Sequence, residues 1–270
     1  MIHPWETGRD NSIDWDVAFE RVPTEGVGAF QRRDTQHADP AHRPTQEQYK
    51  RYIWLVQLFR GLGWDNMKLH DASLFRIVDP GFNAILLRSC IDLADLSEEL
   101  GEPALALHQR ALAEQGLDAL ETLWSDAHQQ YLCYDRVTEQ PIDSPSVGGL
   151  IPAFAPIAPP RAAAIAAHID RLGERVRYLI PSHDPDAPGY DSARYWRGPS
   201  WLIVNYMVAD GLERDGHLDT AARIVAERLK LIEVGGFSEY FDPESGAPCG
   251  GPAFTWTAAM VLEFLNRDAM

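Results

Sequence analysis

Two helix-length stretches laid almost end to end constrain the fold of this chain more than any other feature. From Phe82 to Leu100, apolar or small residues return at 82, 86, 90, 93, 96 and 100, and the run stops at Gly101, a natural helix exit. Residues 104 to 124 repeat the pattern through Leu105, Leu112, Leu117, Leu120 and Trp124. A link that short makes the two helices antiparallel neighbours. The same period predicts helices over 46–62, 160–172, 195–211, 219–233 and 254–266. The first of these opens on a capping box of Thr45 with Glu47 or Gln48 and presents Tyr49, Ile53, Val56, Leu58, Phe59 and Leu62 as its apolar stripe. A shorter helix is expected over 11–20, with Asn11 or Ser12 as N-cap and Asp10 just ahead of it. Period-two alternation occurs only around Gln130–Asp135, which reads as a short strand or hairpin. Residues 1–270 therefore predict a single all-α domain built of helix pairs. Residues 23–44 read as a long loop and a candidate lid, and Ser182–Arg194 as a second loop.

Charge narrows the range of partners. The 24 basic and 40 acidic side chains give a formal charge of −16, which repels phosphate backbones and anionic lipid, so neither nucleic acid nor a membrane surface is expected. No apolar run reaches the roughly 18 residues that span a bilayer. Cys90, Cys133 and Cys249 are odd in number and widely spaced, which fits a reducing cytoplasm better than a disulfide framework. His37, His42, His70, His108 and His183 lack metal-site spacing, and Asp184, Asp186 and Asp191 do not match a calcium loop. Neither a metal nor another cofactor is expected.

Two carboxylates lie in surroundings suited to proton transfer. Asp10, in His3-Pro4-Trp5-Glu6-Thr7-Gly8-Arg9-Asp10-Asn11-Ser12, reads either as a helix cap or as a general acid held protonated beside Trp5 by desolvation. Glu239, between Phe237 and Tyr240-Phe241, reads either as a surface-turn glutamate or as a general base. Tyr195-Trp196-Arg197-Gly198-Pro199-Ser200-Trp201 gathers three large aromatics and a cation around a Gly-Pro kink, either as packed helix entry or as the wall of a sugar site. Cys249 reads as a passive thiol, because no histidine is paired with it in sequence.

Five segments in order carry a resemblance: residues 3–12, Asp79-Pro80-Gly81-Phe82-Asn83-Ala84-Ile85-Leu86-Leu87-Arg88-Ser89, Gly148-Gly149-Leu150-Ile151-Pro152, the run from Tyr195 to Tyr206, and Phe237-Ser238-Glu239-Tyr240-Phe241-Asp242-Pro243. Together they resemble glycoside hydrolase family 63, most closely its bacterial glucosylglycerate and mannosylglycerate hydrolases, with trehalase-like enzymes more distant. The resemblance implies an (α/α)6 toroid, hydrolysis of a small α-linked hexoside with inversion, Asp10 as general acid and Glu239 as general base. It places Trp5, Gly8, Tyr195, Trp196, Gly198 and Trp201 around the sugar, and Arg43 and Tyr49 at the carboxylate of a glycerate aglycone.

One departure qualifies these expectations. The toroid has twelve helices, whereas about eight are legible here, and the motif that begins at His3 normally lies well inside the chain. The expectation is a ring incomplete at its N-terminal side, whose open helix faces favour self-association or a complementary N-terminal fragment. A catalytically silent fragment or one half of a split enzyme is the alternative from another class. A trehalase- or α-glucosidase-like hydrolase is the alternative within the clan.

Overall fold

The computed structural model describes residues 1–36 and 38–267; His37, within the expected lid and among the histidines considered above, lies outside them, as do residues 268–270. Among the described residues the helices are α1 (Asp16–Phe19), α2 (Gln46–Gly61), α3 (Asn66–Ala72), α4 (Pro80–Glu99), α5 (Pro103–Glu121), α6 (Pro159–Leu172), α7 (Leu202–Arg214), α8 (Leu218–Gly235) and α9 (Thr255–Arg267). Their starts follow local chemistry. Thr45 Oγ1 accepts from the Gln48 N–H at 3.1 Å while Gln48 Oε1 accepts from the Thr45 N–H at 2.8 Å, the reciprocal cap read from sequence. Asp79 caps α4 by accepting from the Phe82 N–H at 2.6 Å, and proline occupies the first turn of α4, α5 and α6.

The helices pack as pairs, α4 on α5 and α7 on α8, with α9 also on α7. The 3-10 turns Val147–Gly149 and Ile151–Phe154 run against α4, and the second also contacts α7. This alternation of helix pairs is the (α/α) toroid architecture. Strand structure is limited to two-residue ribbons: β1 (Ile77–Val78) with β4 (Tyr134–Asp135) and β5 (Gln140–Pro141), β2 (Trp124–Ser125) with β3 (Gln130–Tyr131), and β6 (Tyr240–Phe241) with β7 (Pro248–Cys249). In the last ribbon Tyr240 faces Cys249. The largest core cluster joins α4, α6, α7 and the 3-10 turns, a second gathers Trp15, Phe19, Tyr52, Leu55 and Phe75, and a third lies between α7, α8 and α9.

Four expectations change. The helix expected over 11–20 is a 3-10 turn, Ile13–Trp15, followed by one turn of α1; Asn11 is not its cap, because Asn11 Oδ1 accepts from the backbone N–H of Trp196 at 3.1 Å. The helix expected from Tyr195 begins only at Leu202, since Pro199 bars its predecessor from helical geometry and Tyr195 itself has φ +40°. The buried stripe of α2 is Tyr52, Leu55 and Phe59. In α4 the buried face is made largely of small residues, Gly81, Ala84, Cys90, Ala94 and Ser97 with Leu87. Phe82, Leu86, Leu93, Leu96 and Leu100 point outward, 40–70% exposed. Periodicity located that helix correctly but not the face that meets the rest of the domain. Among the described residues no helix is long and apolar enough to cross a membrane.

Candidate active site

The segment carrying Asp10 is held rigidly on both sides. His3 and Glu6 form a reciprocal cap over the 3-10 turn Pro4–Thr7, which ends at Gly8 with φ +72°, a left-handed exit suited to glycine. The next side chain, Arg9, is buried. Its guanidinium donates to Asp14 at 2.6 Å, to Ser146 at 3.1 Å, to Ser12 at 3.3 Å and, in a short contact, to Asp79. Trp15 Nε1 donates to the Arg9 carbonyl at 2.6 Å, and the Tyr52 hydroxyl donates to the Asp10 carbonyl at 2.7 Å. With Arg9 and Asn11 both committed to packing, Asp10 is the residue of this segment whose carboxyl receives no hydrogen bond from another described residue.

Asp10 is half-buried, and the surrounding protein withholds much of the hydration of its carboxyl. Desolvation therefore raises its pKa from 3.8 to about 7; Arg43 opposes the shift and Glu239 adds to it. Asp10 is consequently poised between its two protonation states near neutrality.

Glu239 comes from the turn that leads into β6, which is fixed to the start of α7 by reciprocal backbone hydrogen bonds between Phe241 and Ser200, 3.1 and 2.8 Å. It is buried. Arg43 donates to Glu239 Oε1 at 3.2 Å and makes a short contact with Oε2, which also accepts from the Gly251 N–H at 3.0 Å. A Cβ on Gly250 would run into the same carboxyl, so the backbone behind Glu239 approaches too closely for a side chain. The Arg43 guanidinium lies 4.4 Å from the Tyr195 ring centroid. Tyr195 has its hydroxyl pKa pushed well up, by burial first and then by both Asp10 and Glu239. Residues 229 positions apart in sequence thus share one electrostatic site, with Arg43 and Tyr195 in reach of both.

The remaining expected site residues fall into two groups. Trp5 is 40% exposed, with its ring 5.2 Å from that of Tyr52, whose hydroxyl binds the Asp10 carbonyl, and 6.3 Å from that of Tyr49. Tyr49 carries the long loop: Phe30 stacks on it, the Arg32 guanidinium sits 4.1 Å from its centroid, and burial and nearby Asp34 raise its hydroxyl pKa. Tyr195 is partly exposed. Trp196 and Trp201, by contrast, are each 3% exposed and stacked on each other at 4.0 Å, with Tyr240 continuing the stack at 4.8 Å. They back the wall of the site. Gly198 is required by chain packing, because a Cβ there would strike the Asp191 carbonyl. The Arg9 cluster, the Asn11 tie and the Gly250 approach were not singled out from sequence. An arginine inside the motif was the available signal for the first of these, and it does not say which distant acids will meet it.

Residues 1–257 match the family model for the mannosylglycerate hydrolase MGH1-like glycoside hydrolase domain. A mannosylglycerate hydrolase of Thermus thermophilus is 42% identical over 97% of this chain and 63% of its own length. A glucosylglycerate hydrolase of Mycolicibacterium hassiacum is 28% identical over 98% of this chain and 61% of its own. The crystal structure of a family 63 mannosylglycerate hydrolase from Thermus thermophilus, in complex with Tris and D-glycerate, superposes with a TM-score of 0.94 at 42% identity, covering 99% of this chain and 64% of that one. The chain thus spans less than two thirds of the length of these relatives.

Proposed function

The chain belongs to the family of mannosylglycerate hydrolase MGH1-like glycoside hydrolase domains, and on that premise we propose that it hydrolyses a small α-linked hexoside such as mannosylglycerate or glucosylglycerate with inversion. The observation that carries this reading is the pairing of a carboxyl raised to about 7, Asp10, with a second carboxylate, Glu239, inside one electrostatic site. In the reaction Asp10 gives its proton to the glycosidic oxygen as the C–O bond breaks. Water attacks the opposite face of the anomeric carbon while Glu239 takes up its proton. Such a pair stands roughly 6.5–9.5 Å apart in inverting enzymes, which leaves room for the water. Trp5 and Tyr195 supply faces for the sugar, with Trp196 and Trp201 behind them and the backbone at Gly8 and Gly198 shaping the approach. Arg43 and Tyr49 suit an aglycone carboxylate, since guanidinium and phenol groups donate hydrogen bonds. Residues 23–44 serve as the lid that brings Arg43, Phe30, Arg32 and Asp34 to the site. The three free cysteines, two of them buried, support a cytoplasmic setting.

The test is to incubate the protein with mannosylglycerate and glucosylglycerate and follow the released hexose by NMR. The β anomer is expected first; the α anomer would overturn inversion. The pH dependence follows from Asp10. Its folded pKa lies above the ordinary carboxylate value, so the proton-donating form is complete well below pH 7 and lost as pH rises through about 7. kcat/KM should therefore fall about tenfold per pH unit on the alkaline side of that value.

The outward apolar face of α4 favours a second reading, in which the chain acts together with another copy or with a complementary helical fragment and is silent alone. Light scattering is then expected to give a mass above that of one chain. A monomer with full turnover would remove this reading.

A further inference from the structure

Arg43 sits in a place that a passive substrate-binding cation would not need to occupy. It lies at the end of the long loop, two residues before the N-cap of α2, and its side chain is 7% exposed. Its fork engages both oxygens of Glu239. The Gly251 N–H holds Oε2 from the backbone. Arg43 is also the charge that acts most strongly on Asp10. Its Nε is buried without a partner, so the pair leaves one donor of the guanidinium unsatisfied. While this contact stands, Arg43 and Gly251 engage three of the roughly four acceptor sites of the carboxylate, so a proton from water has to compete with the guanidinium for Glu239.

We infer that Arg43 is a substrate-operated latch on the catalytic base: a carboxylate on the aglycone exchanges with Glu239 for the guanidinium, and only then is Glu239 free to activate water. The inference rests on the hydrolytic reading given above and deepens it, since it assigns the preference for acidic aglycones to release of the base as well as to binding. The exchange replaces one charged fork by another at the cation, which keeps a partner throughout, and leaves Glu239 with the Gly251 N–H alone, a carboxylate whose next proton donor is the water. A neutral aglycone offers no such replacement. Glycosides of glycerol or of a second sugar would bind a site whose base is still clamped.

Two measurements separate the latch from the reaction. The first needs no turnover: D-glycerate affinity by calorimetry at pH 8, where Asp10 is ionised. If glycerate must displace Glu239 from Arg43, Glu239→Gln should bind it at least tenfold more tightly than the unmodified chain. Asp10→Asn, which removes a neighbouring charge but no clamp, should change affinity less than threefold, and Arg43→Gln should weaken it at least tenfold. Equal affinity in the chain and its Glu239→Gln variant, or equal gains in Glu239→Gln and Asp10→Asn, overturns the latch. Glu239→Gln preserves side-chain shape, so this arm stands even where Arg43→Gln fails to fold.

The second measurement uses α-mannosyl and α-glucosyl fluoride, neutral substrates with a leaving group that needs no proton. Added D-glycerate should accelerate fluoride release several-fold in the unmodified chain. Arg43→Gln should release fluoride at the stimulated rate without glycerate and ignore its addition. Fluoride release unaffected or inhibited by glycerate overturns the latch. Absence of any fluoride release, with glycerate or without, instead overturns the hydrolytic reading, and the affinity measurements then decide the exchange by themselves.

Discussion

Glu239→Gln and Asp10→Asn are expected to cost about 10²–10⁴-fold each in kcat/KM on a natural glycoside, the range for loss of a positioned proton donor or acceptor, yet to separate sharply on a glycosyl fluoride. Fluoride departs without being protonated, so an enzyme lacking its acid still cleaves it, whereas one lacking its base does not. Asp10→Asn should thus retain most fluoride release while losing glycoside turnover, and Glu239→Gln should lose both. The environments support this division. Asp10 receives no hydrogen bond to its carboxyl from another described residue and is held near its protonated form by desolvation. Glu239, by contrast, accepts from the N–H donors of Arg43 and Gly251 and so offers its oxygens as acceptors. Rates measured at pH 6 with both substrates decide the matter. Equal losses on the two substrates in Asp10→Asn would remove Asp10 from the role of acid.

How much of this was legible in the sequence varies with the kind of interaction. The positions of α2 and α4 followed from local signals, because a cap at Thr45, an Asp79-Pro80 start or a Gly101 stop acts within a few residues. Which face of α4 packs inward did not follow, because large apolar residues mark a stripe without naming its partner; the buried face is mostly small residues with Leu87, which lies over Gly116 of α5, while Phe82, Leu86, Leu93 and Leu96 face outward. The same distinction holds at the candidate site. Asp10 and Glu239 were singled out from their motifs. Arg43 was placed at a substrate carboxylate by resemblance, and nothing in its neighbourhood pointed to an ion pair with a residue 196 positions away. Trp196 and Trp201 were visible as aromatics in a kinked segment, but only the folded stack shows that they lie behind the surface. Local chemistry fixes elements, while the pairing of charges across the fold depends on tertiary approach.

Arg9→Met should be the most destabilising single change in the site's support, by about 3–5 kcal/mol at pH 7, the range for removing one partner of a buried ion pair. Arg9 is 3% exposed and stands between Asp14 and Asp79, each 1–2% exposed, so its loss strands two carboxylates together in the interior. Burial alone would raise the Asp14 pKa. Arg9, together with the Ser146 and Ser144 hydroxyls, more than reverses this and holds it below the ordinary value. A carboxylate whose folded pKa lies below its unfolded one stabilises the fold above the unfolded value, and that contribution is lost as pH falls through the folded one. Without Arg9 the sign reverses: the stranded carboxyl favours protonation, so acid relieves the variant while it weakens the unmodified chain. The stability gap between the two, read from urea midpoints, should accordingly be widest at pH 7 and narrow towards pH 4. A gap below about 1 kcal/mol, or one that stays constant across that interval, would show that the cluster does not act as a charged unit. Because Asp10 follows Arg9 directly and its carbonyl is fixed by Tyr52, the same substitution should also lower kcat under conditions where the variant remains folded. A loss of both together would tie Arg9 to the placement of Asp10 as well as to the stability of the fold.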